Sequence, residues 1–508
     1  MKSALGLLSL SACYVLLSVF LAPRFPPLNP DESIIAVHGD NMIHGRGHRY
    51  SLYDDVFPPT LDSLRDANLE ITRPVYDLWI GLWLTLGRTM AMARASSWAA
   101  GLLALLAAYG LGTILRSPSL GLLMAALTAA HPIFILAGCL VRPELMLLAV
   151  CGIFFCGLFR PPRRRWAHYA LGALAGLSIG IHPNAVAILA GELAVILYLR
   201  PERLRGEPLF QLVGGFLMGF LAVLGSIDFA KYQIFRQTIL YQLVRMPLLS
   251  ASWKPTEGLQ VLRAVFLRGD TYYLNTALAP GWTASLTLSA AAALLAAASA
   301  VFTGRRLERG FLIGLAVCML VMMALDGRAE VLYVLTPLPF LIPIIGLTLA
   351  SAWESARVPL RAAAAATAGL LGASIFIFFI FVSVYRQRSA SYESWMAQLH
   401  SAVPDSPGLK VLGPVVLWFA FPSDSFRDVE AFRTARPYLG DNLDIGACLH
   451  RWRPDIFITD KAFRHIFLHE DASDAALTRL LHLPARSLGR IDTGGSHGVF
   501  EIYRMGAP

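Results

Sequence analysis

Charge is the scarcest ingredient of this chain: 15% of its 508 residues are Asp, Glu, Lys or Arg, against about 25% in soluble globular domains. That shortfall excludes a soluble enzyme, a disordered chain and a fibrous repeat. Cysteine is nearly as sparse. Of six residues, Cys13, Cys139, Cys151, Cys156 and Cys318 lie in or beside apolar runs, and only Cys448 falls in a polar stretch. With no Cys-x-x-Cys pair, neither a disulfide framework nor a thiolate metal site is expected. No phosphate loop, no Gly-x-Gly-x-x-Gly and no internal repeat is present.

What remains is apolar. Hydrophobic residues make up 56% of the chain and the mean hydropathy is +0.56. Runs such as 5–22 and 362–384 contain no charged residue and approach the roughly 20 residues needed to cross a bilayer. A polytopic membrane protein is expected. The net charge of +9 sits largely in short clusters between apolar runs: Arg160, Arg163, Arg164 and Arg165; Arg200, Arg203 and Arg205; Arg305, Arg306 and Arg309; Arg357 and Arg361. Short basic loops between spans mark the cytoplasmic side and argue against a nucleic-acid partner. The N-terminus carries Lys2, a long apolar run and no small-x-small cleavage site before Pro23, which reads as a retained first span.

The apolar segments are 4–22, 94–115, 119–139, 145–159, 167–181, 183–199, 209–225, 282–303, 310–325, 331–349 and 362–384. The apolar stretch 79–86 is too short to span and is expected as a helix on the membrane surface. Parity supports that choice. With Lys2 inside, eleven spans place every arginine cluster inside and the C-terminus outside, whereas a span at 79–86 reverses all the clusters. Three polar regions then face outward: 23–93, 226–281 and the tail from 385. The tail alternates strand-like runs (411–419, 455–458, 498–503) with a helix-like stretch (474–483) and a Gly494-Gly495 turn. The expected architecture is thus an α-helical membrane domain, 1–384, and a small α/β extracytoplasmic domain, 385–508. The alanine-rich stretches 290–300 and 362–368 suit close helix packing in lipid.

Four polar motifs lie at the outer ends of spans, where a bilayer makes unused charge costly. Asn29-Pro30-Asp31-Glu32 follows the first span, and its plainest reading is an acidic first turn of a helix. Thr72-Arg73-Pro74, with Tyr76 and Trp79, opens the surface helix and suits an interfacial anchor. Arg142-Pro143-Glu144 is a local ion pair, and His182-Pro183-Asn184 a turn or cap. None is specific alone. Together, on one side of the membrane, they supply a carboxylate, an arginine, a second arginine–acid pair and a histidine, a set suited to phosphate and a polar acceptor.

The strings Asn-Pro-Asp-Glu-Ser-Ile-Ile-Ala (29–36), Arg-Pro-Val-Tyr-Asp-Leu-Trp (73–79), Val-Arg-Pro-Glu-Leu (141–145) and Gly-Ile-His-Pro-Asn (180–184) resemble the GT-C membrane glycosyltransferases, in particular the protein O-mannosyltransferases and the aminoarabinose transferases of lipid A. The resemblance covers about residues 1–200 and continues beyond them only in architecture. It implies that Asp31 matches the essential first-loop aspartate, with Glu32 beside it as the other catalytic candidate. It implies that Arg73, where a lysine is common, holds the donor phosphate, assisted by Arg142. Glu144, where an aspartate is common, and His182, where some members have lysine, are the implied substrate-binding residues.

Outside the membrane nucleotide sugars are generally lacking, so the expected donor is a polyprenyl-phosphate sugar and the acceptor a glycan, lipid or protein hydroxyl. A phosphate leaves readily, so one base suffices rather than the paired carboxylates of a glycosidase. No cofactor is expected and no essential metal ion, since no compact ligand cluster occurs. A bacterial cytoplasmic membrane, with the site on its outer face, is the expected location. A lipid or glycan transporter is the alternative; it predicts polar groups near span midplanes and repeated halves. A sensor or scaffold acting through the tail is a third reading.

Overall fold

Prolines and glycines set the helix boundaries of the computed structural model, which describes residues 2–25, 29–46, 51–53, 56, 73–162, 164–225, 279–325, 334–354, 357–388, 390–403, 406, 408–422, 424–439, 443–449, 452–469, 473–493 and 498–506. Most of the expected outer region 226–281 lies outside the described residues. Among the described residues, fourteen α-helices precede the tail: α1 (Lys2–Leu21), α2 (Pro30–Ile43), α3 (Pro74–Leu84), α4 (Met90–Leu115), α5 (Pro118–Ala129), α6 (Pro132–Gly138), α7 (Glu144–Phe159), α8 (Arg165–Ile179), α9 (Ala185–Leu199), α10 (Gly206–Gly225), α11 (Ala279–Thr303), α12 (Arg306–Leu325), α13 (Leu338–Glu354) and α14 (Val358–Arg388).

Each expected span contains a helix, but not each is a full span. Six described helices are long and apolar enough to cross a membrane, or seven if the bent pair α5–α6 is one span. The expected continuous segment 119–139 is broken at His131, where Pro132 opens α6 and the chain turns by 68°; proline cannot donate the backbone hydrogen bond that would continue the helix. Helices α7, α8, α9 and α13 have 15 to 17 residues, about 22–26 Å at 1.5 Å per residue, shorter than a hydrocarbon core of about 30 Å. Leu221, Leu294 and Phe302 are 61%, 72% and 86% exposed, an apolar exterior that only lipid covers at low cost. The protein is an integral membrane protein.

Small residues let the helices approach. Gly172 and Gly176 of α8 press on the α10 backbone at Leu212 and Phe216, while Gly215 and Gly219 of α10 press on Tyr169 and Ala173. A side chain at any of the four would collide with a carbonyl oxygen, as in other small-residue helix contacts in membranes. The alanine-rich segments fall on α11 and α14, which pack together and are linked by Ser289 and Ser374, Oγ to Oγ 2.7 Å. The helix expected on the membrane surface is α3; it begins at Pro74, which suits a first helical position, within the motif expected to open it. It crosses α2 at Gly39 and Gly81, where a Cβ on Gly81 would lie 2.5 Å from the Gly39 carbonyl oxygen.

The tail opens with α15 (Tyr392–Ala402) and carries a five-stranded sheet of β1 (Val411–Gly413), β2 (Phe426–Asp428), β3 (Ile456–Thr459), β4 (Ala485–Asp492) and β5 (Val499–Met505), in the order β2-β1-β3-β5-β4. β1 runs parallel to β2 and β3, and β5 runs antiparallel to β3 and β4. The run 411–419, expected as one strand, leaves the sheet at Pro414, and 415–420 wind as a 3-10 turn. The sheet domain rests on the surface-helix end of the bundle. The Arg88 guanidinium stacks 4.0 Å from the Trp418 ring and donates to the Trp418 carbonyl at 2.9 Å, and Arg46 pairs with Asp424 at 3.6 Å.

Candidate active site

Four helix N-termini converge at one end of the bundle: those of α2, α3, α7 and α9. Each begins at or just after a motif proline, and each N-terminus carries partial positive charge. The opposite ends of α8 and α9 carry the basic loops, where Arg165 pairs with Glu207 at 3.2 Å and Arg306 donates to the Tyr198 carbonyl at 3.2 Å.

At the start of α2 the Asn29 side chain accepts the Asp31 N–H at 2.8 Å, and Glu32 Oε1 accepts the Asn29 N–H at 3.0 Å. The two bonds form a capping box, and Asp31 and Glu32 lie in the first turn as expected. The two adjacent acids then part. Glu32 is fully buried and also accepts from Arg94 twice, Nε to Oε2 at 2.9 Å and Nη2 to Oε1 at 2.8 Å, and from the Val141 N–H at 2.9 Å. Arg94 donates further to the Ala22 carbonyl. The Asp31 side chain is 31% exposed and meets Arg142 Nη1 at 3.2 Å.

Arg142 leads into α7 and bridges two carboxylates, with Nη2 3.0 Å from Glu144 Oε1. It is 3% exposed. Its planar fork is therefore committed to Asp31 on one prong and Glu144 on the other. Arg73 stands differently. It is half-buried at the start of α3; its carbonyl accepts the Asp77 N–H at 2.8 Å, but its side chain makes no hydrogen bond and no ion pair among the described residues. The Val75 N–H donates to the Gly180 carbonyl at 3.2 Å, which fastens the start of α3 beside the turn holding His182. Arg73 accordingly acts on the charges of both His182 and Glu144.

His182 is buried, and its Nδ1 accepts the Asn184 N–H at 3.1 Å, which leaves the ring proton on Nε2. Burial, reinforced by Arg73, pushes its pKa down to about 3, so the imidazole is neutral at physiological pH. Among the described residues no group of three or more His, Cys, Asp or Glu side chains is arranged to hold a metal ion.

All six residues singled out in the sequence thus sit at this one end, directly bonded or electrostatically coupled. Arg94 was missed. Its signal was present: an arginine at the very edge of an apolar run must find a partner. Nothing in the local sequence shows that the partner is Glu32.

No protein-family model and no curated protein matches the sequence. The fold nevertheless has solved counterparts, at low sequence identity. ArnT from Cupriavidus metallidurans in the apo state superposes with a TM-score of 0.57 at 13% identity, covering 98% of each chain. The oligosaccharyltransferase of Archaeoglobus fulgidus, in a complex with Zn and sulfate, gives 0.51 at 12% identity over 96% of this chain and 72% of that one.

Proposed function

We propose that this protein transfers a sugar from a polyprenyl-phosphate donor to the hydroxyl of a glycolipid, polysaccharide or protein, with inversion at the anomeric carbon. The main support is the Arg73 side chain, a cation with no ion pair among the described residues, at the end of the bundle where four helix N-termini meet and where Arg142 links the accessible Asp31 to Glu144. Such a place attracts a phosphate. Asp31, the accessible acid of the adjacent pair, is the base: it takes the acceptor proton as the acceptor oxygen attacks the anomeric carbon. The bond from that carbon to the phosphate oxygen breaks, and the phosphate departs with the electron pair toward Arg73, which steadies the growing charge. Arg142 orients Asp31 and borders the phosphate, and Glu144 and His182 contact substrate. We place the site on the outer face of a bacterial cytoplasmic membrane, with 1–384 as the membrane domain and 385–508 outside, because the basic loops lie at the far end of the helices.

Purified protein incubated with a panel of polyprenyl-phosphate sugars and a membrane extract is expected to yield a glycosylated product. Asp31→Asn should lower turnover by roughly 10²-fold or more while leaving expression intact, in the range of general-base effects. Turnover near the wild-type value in that variant removes Asp31 from this role.

One observation favours the transporter reading. Glu192, at the middle of α9, is fully buried and neither carboxyl oxygen has a hydrogen-bond partner. An acid at that depth is a common mark of a transport path. Transferase action makes it dispensable, so Glu192→Gln is expected to retain transfer; abolished flux of lipid-linked sugar in vesicles made with that variant, together with no transfer by the wild type, favours transport.

A further inference from the structure

Several buried polar groups around this site are unfilled. The Tyr76 hydroxyl, Glu144 Oε2 and the Asn184 side-chain nitrogen each lack a hydrogen bond among the described residues, although the three residues are only 0%, 2% and 4% exposed. Ser97 lies within reach of the Tyr76 hydroxyl, and neither hydroxyl has another hydrogen-bond partner among the described residues. Buried polar groups are nearly always paired, and those left over at a site are the ones a ligand or water can satisfy.

Their positions link them. Tyr76 is three residues beyond Arg73 in the first turn of α3, hence on the same helix face, and it feels the charges of Glu144, Arg142 and Arg73. Glu144 is the first residue of α7. Asn184 immediately precedes α9 and is tied to His182 through its own N–H. Their chemistry differs in kind: Glu144 offers an acceptor, the Asn184 amide a donor, and the Tyr76 hydroxyl either. That mixture matches hydroxyl groups, each of which donates one hydrogen bond and accepts others. The carboxylates of Asp31 and Glu144 and the guanidinium groups of Arg142 and Arg73 nearly cancel, an environment suited to a polar but uncharged group.

We propose that Tyr76, Glu144 and Asn184 form the subsite for the ring hydroxyls of the transferred sugar, and that this sugar is uncharged. The assignment rests on the transferase reading above, with Tyr76 and Asn184 as its new specificity-determining residues.

The test uses the full-length protein, undecaprenyl phosphate, undecaprenyl-phosphate mannose and glucose, their single-deoxy analogues and an aminated analogue. Tyr76→Phe and Asn184→Ala are expected to bind bare undecaprenyl phosphate as the wild type does and to weaken the better hexose donor by about three- to tenfold. The decisive comparison is with the deoxy donors. A donor lacking the hydroxyl read by Tyr76 should lose affinity for the wild type but lose nothing more in Tyr76→Phe. Equal binding of every donor by the wild type and both variants overturns the subsite and leaves the transferase reading intact. Preference for the aminated donor overturns the uncharged-sugar assignment. A wild type that binds none of the polyprenyl phosphates overturns both proposals.

Discussion

Arg94 grips Glu32 by two parallel hydrogen bonds of 2.8 and 2.9 Å, joining residues 62 positions apart in a fully buried pair. The same carboxylate holds the Asn29 and Val141 N–H groups. One side chain therefore fixes both the turn that presents Asp31 and the segment that presents Arg142. The two members of the Asp31–Glu32 pair have divided their work by burial: four donors saturate the inner acid, while the outer one reaches solvent.

Breaking this pair should be severe. Arg94→Ala leaves Glu32 charged in a water-poor interior, an effect of about 3–5 kcal/mol. A lower melting temperature or lost expression is expected, compared with a smaller loss in Arg94→Lys, which keeps the charge but not the fork. Replacing both residues by a size-matched apolar pair should recover much of the stability, since the buried charge is removed with its partner. Thermal unfolding in detergent checks this; an Arg94→Ala protein as stable as the wild type contradicts the account of Glu32.

Arg73 should behave in the opposite way, with little effect on stability and a large one on chemistry. Losing a charge-assisted contact to the donor phosphate is expected to cost about 1.5–3 kcal/mol, roughly 10- to 150-fold. Because negative charge grows on the leaving phosphate, Arg73→Ala should lower kcat as well as raise KM, and Arg73→Lys should fall between. Steady-state kinetics with varied lipid donor at saturating acceptor measure the split. Unchanged kcat and KM would leave Arg73 as an interfacial anchor only.

The pH dependence of stability should carry a mark of His182. Its folded pKa, pushed down to about 3, lies below the ordinary value of 6.5, so the folded protein favours the neutral ring. That contribution is fully present above pH 6.5 and is lost progressively as pH falls toward 3. The melting temperature should therefore drop less steeply between pH 6.5 and 4 in His182→Asn, which removes the titrating ring. In the wild type the activity profile between pH 6 and 8 should show no limb from this histidine. Identical slopes for the two proteins rule out a neutral, buried His182.

Much of the molecule is legible because a bilayer enforces periodicity of a simple kind. Runs without charge had to be helices, since lipid offers no other partner for backbone groups, and each of them contains one. The prolines at 30, 74 and 143 marked helix starts for a local reason, fixed φ and no N–H to lose. The same property at Pro132 and Pro414 ended elements that composition alone extended. The contacts among Gly172, Gly176, Gly215 and Gly219 were less legible, because small size signals close approach but not which helix approaches.

For the site, the sequence by itself determined which residue types stand at the helix ends and that their charges nearly balance. Only the tertiary structure decided how they are shared. Asp31 and Glu32 are neighbours of the same chemistry, and nothing local tells them apart. Their difference comes from Arg94 on α4 and from Arg142 in the turn before α7, both brought in by packing. Likewise Arg73 and Arg142 read alike in sequence, but α7 carries a carboxylate to Arg142, whereas among the described residues none closes on Arg73. Hydrogen bonds reach about 3 Å, so a residue's role at this site is set by the side chains that folding brings within that distance, however far apart they are along the chain.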